Sequence, residues 1–160
     1  MPTTGAWAPL DFRWLLANGS SMSAKKILVV DDSPVVVKAI QMQLAKAGFT
    51  VVSAMDGGEA ISAVRREKPD LIVLDISFPP DVGHGGGIAW DGFLIMQWLR
   101  RLDEAKTTPI IIITGQNPAK YREQAMKLGA TAFFTKPVDN EGLIEVVNQA
   151  LANVAKPLAN

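Results

Sequence analysis

The chain has 160 residues, 48% of them hydrophobic, which is enough to bury the core of one globular domain. Its 16 basic and 16 acidic residues leave no net charge, which argues against a domain whose main work is coating nucleic acid. With no cysteine and one histidine, the sequence excludes disulfides, thiol catalysis and multi-histidine metal sites, so any metal chemistry must rest on oxygen ligands.

The first 24 residues differ from the rest of the chain. They carry Trp7 and Trp14, and the polar stretch 18–21 separates them from the regular pattern that follows. We interpret residues 1–24 as an N-terminal extension, either disordered or translated from a start assigned too early. The alternative is a short docking helix through the apolar residues of 10–15.

The sequence gives no sign of export or of a membrane span. No run approaches the ~18 apolar residues that a transmembrane helix needs. The N-terminus lacks the basic start, apolar middle and small-residue cleavage site of a signal peptide. We therefore expect a soluble, cytoplasmic protein with no membrane insertion.

Beyond residue 24, runs rich in β-branched residues alternate with segments of helical spacing. The predicted strands are 27–30, 50–54, 71–74, 110–113 and 131–134. Pro34 suits a first helical turn, and Asp56 and Glu59 have the spacing of a capping box. The apolar helical stripes are Val37, Ile40, Leu44 and Ala47; Ala60, Ile61 and Val64; Ile95, Leu99 and Leu102; Tyr121, Ala125 and Leu128; and Leu143, Val147, Ala150 and Val154. Five such repeats with almost wholly apolar strands predict an α/β fold, a parallel sheet covered by helices on both faces.

Polar residues follow four of the predicted strands directly or closely. Asp31 and Asp32 come after the first strand, Asp75 after the third, Thr114 after the fourth and Lys136 after the fifth. In open parallel sheets, ligands bind outside the carboxyl ends of the strands. We therefore expect these side chains to converge on one site.

These motifs resemble the receiver domain of two-component response regulators. The resemblance rests on Lys-Ile-Leu-Val-Val-Asp31-Asp32-Ser, Leu-Ile-Val-Leu-Asp75, Ile-Ile-Thr114-Gly and Lys136-Pro137, and it covers residues 25–154. It implies a doubly wound, flavodoxin-like sheet of five parallel strands in the order 2-1-3-4-5. Asp75 would then lie between the acidic pair and Thr114.

The resemblance also implies a phosphoryl-transfer site. Three carboxylates so close together resist ionisation unless a cation relieves them, and Mg²⁺ favours carboxylate, water and phosphate oxygens. Asp75 would be the phosphoacceptor, attacking a phosphohistidine of a histidine kinase or His-containing phosphotransfer protein. Asp32, Asp75 and the backbone carbonyl of Ser77 would ligate the metal directly, and Asp31 largely through a water. Lys136 and Mg²⁺ would neutralise the transferring phosphoryl group.

A switch would follow phosphorylation. Thr114 would donate its hydroxyl to the phosphoryl group and move inward, and Phe133 would fill the vacated space; plain core packing is the alternative for Phe133. Phe134 is expected on the opposite face of the sheet. The region 118–154 would then contact a downstream protein target.

The stretch after the phosphoacceptor departs from the family. Phe78 and Pro79 stand at its usual Met-Pro positions, but Asp91 and the glycine after it come late, so 77–91 forms an enlarged Gly-rich loop. We expect this loop to modulate partner access or dephosphorylation. Within it, His84 is interpreted as a solvated loop histidine rather than a phosphodonor.

Two alternatives to the signalling role stay open. An aspartyl-nucleophile phosphatase uses Asp-x-Asp, but Ser77 stands two residues after Asp75. A receiver-like adaptor that is never phosphorylated is the other. Because 155–160 is too short for an output module, the interpretation favoured by the sequence is a single-domain response regulator, not an enzyme, that acts on a protein rather than on nucleic acid.

Overall fold

The computed structural model describes residues 24–77, 91–115 and 118–155. Within these ranges, five strands alternate with five helices. The strands are β1 (Lys26–Val30), β2 (Thr50–Ala54), β3 (Leu71–Asp75), β4 (Ile110–Thr114) and β5 (Ala132–Thr135). The helices are α1 (Pro34–Lys46), α2 (Gly57–Glu67), α3 (Gly92–Arg101), α4 (Pro118–Lys127) and α5 (Asn140–Ala155). The predicted α/β alternation is confirmed, and every predicted strand lies within one residue of an observed one at each end.

The strands form a single parallel sheet in the order β2-β1-β3-β4-β5, which confirms the order implied by the resemblance. The central strand is β3, with Val30 of β1 opposite Leu74, and Ile113 of β4 opposite Asp75. Because the strands are parallel, their carboxyl ends meet along one border of the sheet. We call this border the C-terminal rim.

The sheet is buried on both faces, which explains its almost wholly apolar strands. Successive residues of a strand point to opposite faces. On one face, Leu28 and Ile72 pack with α2, α3 and α4. On the other face, Ile27 and Val73 pack with α1 and α5. A polar side chain on these inner strands therefore finds room only at their ends.

Helices α1, α2 and α3 each begin at a side-chain cap. The Ser33 hydroxyl accepts a hydrogen bond from the N–H three residues later, at 3.5 Å. Asp56 and Asp91 do the same through Oδ1, each at 2.7 Å. The predicted capping box is formed with one difference, because the Glu59 carboxylate reaches back to the N–H of Met55, at 2.7 Å, rather than to that of Asp56.

The first residue of α3 lies directly against the end of β3. A Cβ atom added to Gly92 would stand 2.3 Å from the Cα of Ile76 and 2.8 Å from the carbonyl oxygen of Asp75. Both neighbours are backbone atoms, which cannot rotate away as a flexible side chain can. Glycine is therefore required at this position, and the start of α3 and the end of β3 fix each other.

A single arginine ties together two loops at the opposite border of the sheet. Arg100 Nη1 donates to the carbonyl oxygens of Thr108 at 2.7 Å, Ala105 at 3.3 Å and Lys106 at 3.4 Å. Its Nη2 donates to the carbonyl oxygen of Gly129 at 2.8 Å. The loops that lead into β4 and β5 are thus both held by the end of α3.

Several sequence predictions concern residues outside the described ranges. These are the N-terminal extension apart from Ala24, the enlarged loop between Ser77 and Asp91, including His84, and the tail after Ala155. None of the helices in the described ranges combines the length and hydropathy that a membrane span needs.

We expect Gly92→Ala to lower the free energy of unfolding by about 1–3 kcal/mol, because the added methyl group forces backbone atoms of β3 and α3 apart. Chemical denaturation measures this change. Gly58→Ala is the matched control, since its added Cβ would meet only the Asp56 carboxylate, at 3.4 Å, in the first turn of α2. Equal effects of the two substitutions would contradict the close approach at Gly92.

We expect Arg100→Lys to lower the free energy of unfolding by about 1–3 kcal/mol, because one ammonium cannot reproduce a guanidinium fork shared among four carbonyl oxygens. Arg101→Lys serves as control at the neighbouring exposed position and should change stability by less than about 0.5 kcal/mol. The same denaturation measurement compares the two. If Arg100→Lys behaves like the control, the loops do not depend on this fork.

Candidate functional site

The fold brings the predicted site residues to the C-terminal rim. Asp31 follows β1, Asp75 ends β3, Thr114 ends β4 and Lys136 follows β5. The side chains of Asp31 and Asp75 are buried, each 2% exposed, and Thr114 is fully buried. Lys136 is half-buried, and Asp32 faces solvent. Polar groups are thus concentrated where the apolar sheet ends.

One ammonium group bridges two buried carboxylates. Lys136 Nζ donates to Asp31 Oδ2 at 2.7 Å and to Asp75 Oδ2 at 2.9 Å. The aliphatic stem of Lys136 lets its charge reach back from the end of β5, past β4, to β1 and β3. The sequence predicted that Lys136 would lie near Asp75, but the equally short contact with Asp31 was not predicted.

Backbone N–H groups hold the second oxygen of each carboxylate. Asp31 Oδ1 accepts from the N–H of Ser33 at 2.8 Å, and Asp75 Oδ1 accepts from the N–H of Ser77 at 2.7 Å. In both cases the aspartate side chain accepts a hydrogen bond from the backbone N–H two residues later, and this contact forms a turn that aspartate favours. Each carboxylate is therefore fixed at one oxygen by its own loop and at the other by Lys136.

Burial and charge act on these groups in opposite directions. Burial raises the pKa of the Asp31 carboxyl above its usual value, although hydrogen bonds from Lys136 and the backbone of Ser33 act to lower it. Burial acts to lower the pKa of Lys136, but its hydrogen bonds to Asp31 and Asp75 outweigh burial and leave that pKa above its usual value. The raised pKa of Lys136 favours its charged form between the two buried carboxyl groups.

The carboxylates also fit a hard divalent cation. Asp31, Asp32 and Asp75 each offer one oxygen, and these oxygens all lie within 4.8 Å of one another. Mg²⁺ binds oxygen ligands at about 2.1 Å and is held by one or two carboxylates together with water and phosphate oxygens. An acidic group of this spacing, partly buried and partly open to solvent, has the donor chemistry that Mg²⁺ requires.

Thr114 faces Ser77 across the rim. Ser77 Oγ lies 2.7 Å from Thr114 Oγ1, and it also accepts a hydrogen bond from the N–H of Gly115 at 3.2 Å. The sequence pointed to Ser77 only through its backbone carbonyl. Its side-chain contact follows from the turn that carries Ser77 toward β4, for which helix and strand periodicity give no signal.

The two phenylalanines of β5 lie on opposite faces of the sheet, as predicted. Phe133 is half-buried and packs against the cluster beneath α2, α3 and α4, together with Tyr121 and Phe93. Phe134 packs against the cluster on the other face. These positions suit either core packing or a switch, so the switching role of Phe133 stays a prediction.

The chain is similar in sequence and in structure to known receiver proteins. The sequence profile described as response regulator receiver domain matches residues 27–148. Protein PilH of Pseudomonas aeruginosa is 33% identical over 127 residues, which is 79% of this chain and 98% of PilH. The alkaline phosphatase synthesis transcriptional regulatory protein PhoP of Bacillus subtilis is 36% identical over 71% of this chain, but over only 42% of its own length.

A solved structure leads to the same family. The chemotaxis protein CheY4 of Vibrio cholerae aligns with a TM-score of 0.70 and 27% identity, over 80% of this chain and 99% of that one. The alignment with CheY4 extends over most of the chain, and so does the match of the sequence profile. The profile match contains all five strands except the first residue of β1, and it also contains every rim residue named above. The chain therefore belongs to the family of response regulator receiver domains, the signal-receiving domains of two-component systems.

Proposed function

We propose that Asp75 accepts a phosphoryl group from a phosphohistidine of a histidine kinase or a His-containing phosphotransfer protein. The observation that carries this proposal is the buried Asp75 carboxylate, held 2.9 Å from Lys136 Nζ beside a second buried aspartate. A carboxylate in such surroundings has a fixed orientation, and the Lys136 ammonium beside it can stabilise the negative charge of the incoming phosphoryl group.

We propose Mg²⁺ as the cofactor of this transfer. Asp32, Asp75 and the backbone carbonyl of Ser77 would hold it directly, and Asp31 largely through a water molecule. When bound, Mg²⁺ supplies positive charge that offsets the clustered carboxylates and the phosphoryl oxygens. The spacing of the three carboxylates supports this assignment, as does the exposure of Asp32, which leaves one side of the acidic group open to solvent.

The proposed step moves a phosphoryl group from nitrogen to oxygen. A carboxylate oxygen of Asp75 attacks the phosphorus and forms a P–O bond, while the P–N bond breaks and its electron pair returns to the imidazole of the partner. The ammonium of Lys136, now shared between Asp31 and Asp75, pairs with the phosphoryl oxygens. Thr114 then donates its hydroxyl to a phosphoryl oxygen.

The product of this step is a signal rather than a released compound. Rearrangement of Thr114 and Phe133 would change the surface formed by 118–154, which we propose as the binding site for a downstream protein target.

The phosphatase alternative is disfavoured by the residue that stands two positions after Asp75. An enzyme of that kind needs a carboxylic acid there, whereas this chain has the hydroxyl of Ser77. Catalysis by this chain is then limited to its own phosphorylation and dephosphorylation.

We expect Asp75→Asn to abolish phosphoryl incorporation, because an amide cannot serve as the attacking oxygen. The full chain is incubated with Mg²⁺ and radiolabelled acetyl phosphate, and acid-stable, base-labile label on the protein is counted. Asp103→Asn, at an exposed position away from the rim, should keep the label at the level of the unmodified chain. Full incorporation in Asp75→Asn would contradict the phosphoacceptor assignment, and no incorporation in the unmodified chain would favour the adaptor alternative.

We expect Mg²⁺ alone to stabilise the chain, by about 2.7 kcal/mol at a concentration 100 times its dissociation constant, because it binds the folded acidic group. Thermal or chemical denaturation with Mg²⁺ and with EDTA measures this difference. In Asp32→Asn most of it should be lost, whereas Asp103→Asn should retain it. An undiminished Mg²⁺ effect in Asp32→Asn would show that Asp32 is not a ligand.

A further inference from the structure

The border of the sheet opposite the rim carries an open cavity of about 390 Å³. It lies where the loops that lead into β4 and β5 meet the ends of α3 and α5. Its polar lining comes from Arg100, Lys106, Thr107, Thr131 and Asn153, and the described residues that line it include no aspartate or glutamate. A volume of this order is typical of sites for small molecules. The cavity is therefore of ligand size, with basic side chains in its lining.

Arg100 contributes a half-buried positive charge to this cavity. Its hydrogen bonds go to backbone carbonyl oxygens, and none goes to a carboxylate of the described residues. Burial lowers the pKa of the Arg100 guanidinium below its usual value. Asp103 and Glu104 follow closely in the chain, yet neither is among the groups that act on this pKa. The guanidinium is thus a partly desolvated cation that no carboxylate of the described ranges neutralises.

One edge of the guanidinium stays open beside the cavity. Arg100 donates to carbonyl oxygens through Nη1 and Nη2, whereas its Nε–H has no acceptor among the described residues. A Cβ atom added to Gly129 would stand 3.6 Å from Nε and 3.8 Å from Nη2. Gly129 has a φ of 89°, in the left-handed region that favours glycine, so no side chain of that residue covers this edge.

The open edge has the geometry that oxyanions require. The Nε–H and the second N–H of Nη2 are parallel donors, which can pair with two oxygens of one carboxylate or phosphate group. Buried side-chain nitrogen and oxygen atoms of the described residues all have a hydrogen-bond partner. Since the Arg100 Nε has none there, it is not enclosed by protein and can be reached from the cavity.

We propose that this cavity binds a small oxyanion, the carboxylate or phosphate group of a small molecule, through the Nε and Nη2 edge of Arg100. Lys106, on the exposed loop before β4, supplies a second positive charge. The site lies at the opposite end of the strands from Asp75 and does not depend on the proposed phosphoryl transfer. Because Thr131 and Asn153 belong to 118–154, a bound anion would lie against the region proposed to contact a downstream target.

An NMR titration of the ¹⁵N-labelled chain tests this site. Inorganic phosphate and succinate are added separately, with EDTA present and at constant ionic strength, because salt screens exposed charges. The cross-peaks of Arg100 Nε–H and Gly129 N–H should shift in a saturable manner with at least one anion, and the anion that binds more tightly identifies the preferred group. The N–H groups of Ser33 and Ser77 at the rim should not shift. No saturable shift at Arg100 with either anion, or saturable shifts confined to the rim, would overturn the proposal.

Matched variants test whether the cavity itself is the binding site. Asn153→Asp keeps the size of the side chain and adds a carboxylate that competes with the anion, so the affinity should fall between about twofold and fivefold. Asn148→Asp makes the same change at an exposed position of the same helix outside this cavity and should leave the affinity unchanged. Equal affinities of the two variants would overturn the proposal.

The second positive charge is tested in the same titration. Lys106→Gln should also weaken binding between about twofold and fivefold, because it removes a cation from the cavity. Lys46→Gln removes an exposed cation at the end of α1 and should have no effect. A loss as large in Lys46→Gln as in Lys106→Gln would show attraction to the overall charge of the chain rather than binding in the cavity. Since the titration contains no phosphodonor and no free Mg²⁺, its failure would leave the proposed role of Asp75 intact.

Discussion

The geometry of the rim depends on one ammonium group that two buried carboxylates share. Lys136 joins residues that lie 105 and 61 positions earlier in the chain. Burying a carboxylate costs free energy unless cations or hydrogen-bond donors lie close to its oxygens. For Asp31 and Asp75, Lys136 supplies the cation, and the backbone N–H groups of Ser33 and Ser77 supply the remaining donors. The two carboxylates are therefore held in place by other groups of the folded chain itself.

The zero net charge of the chain conceals this local arrangement. Three carboxyl groups and one ammonium share a small volume at the end of an apolar sheet. They gather there because β3 and β4 are buried on both faces, so that a charged side chain within either strand would have neither water nor partners. The same two-sided burial that stabilises the sheet thus determines where its chemistry can lie. A divalent cation would supply the positive charge that the three carboxyl groups lack beside a single ammonium.

Features with a local cause were predictable from the sequence, and features that depend on side-chain reach were not. The strands and helices follow from hydrophobic periodicity, and the gathering of Asp31, Asp75 and Thr114 follows from their places at strand ends. The strand order came from the resemblance, since periodicity alone does not say which strands are neighbours. The sequence did not predict the contact of Lys136 with Asp31, nor the hydroxyl contact of Ser77, because both depend on where a turn directs a side chain.

The shared ammonium also indicates where a change at the rim would be transmitted. Lys136 directly follows β5. Among the described residues this strand pairs with β4 alone, and it is built of half-buried and exposed residues, whereas β3 and β4 are fully buried. A new negative group at Asp75 would compete with Asp31 and Asp75 for the same ammonium, so any displacement of that ammonium would act on Lys136, the residue directly after this outer strand. Moving an outer strand disturbs fewer buried contacts than moving a central one. This difference in packing favours β5 and the helices beside it, within 118–154, as the part of the domain that would respond to the proposed phosphorylation of Asp75.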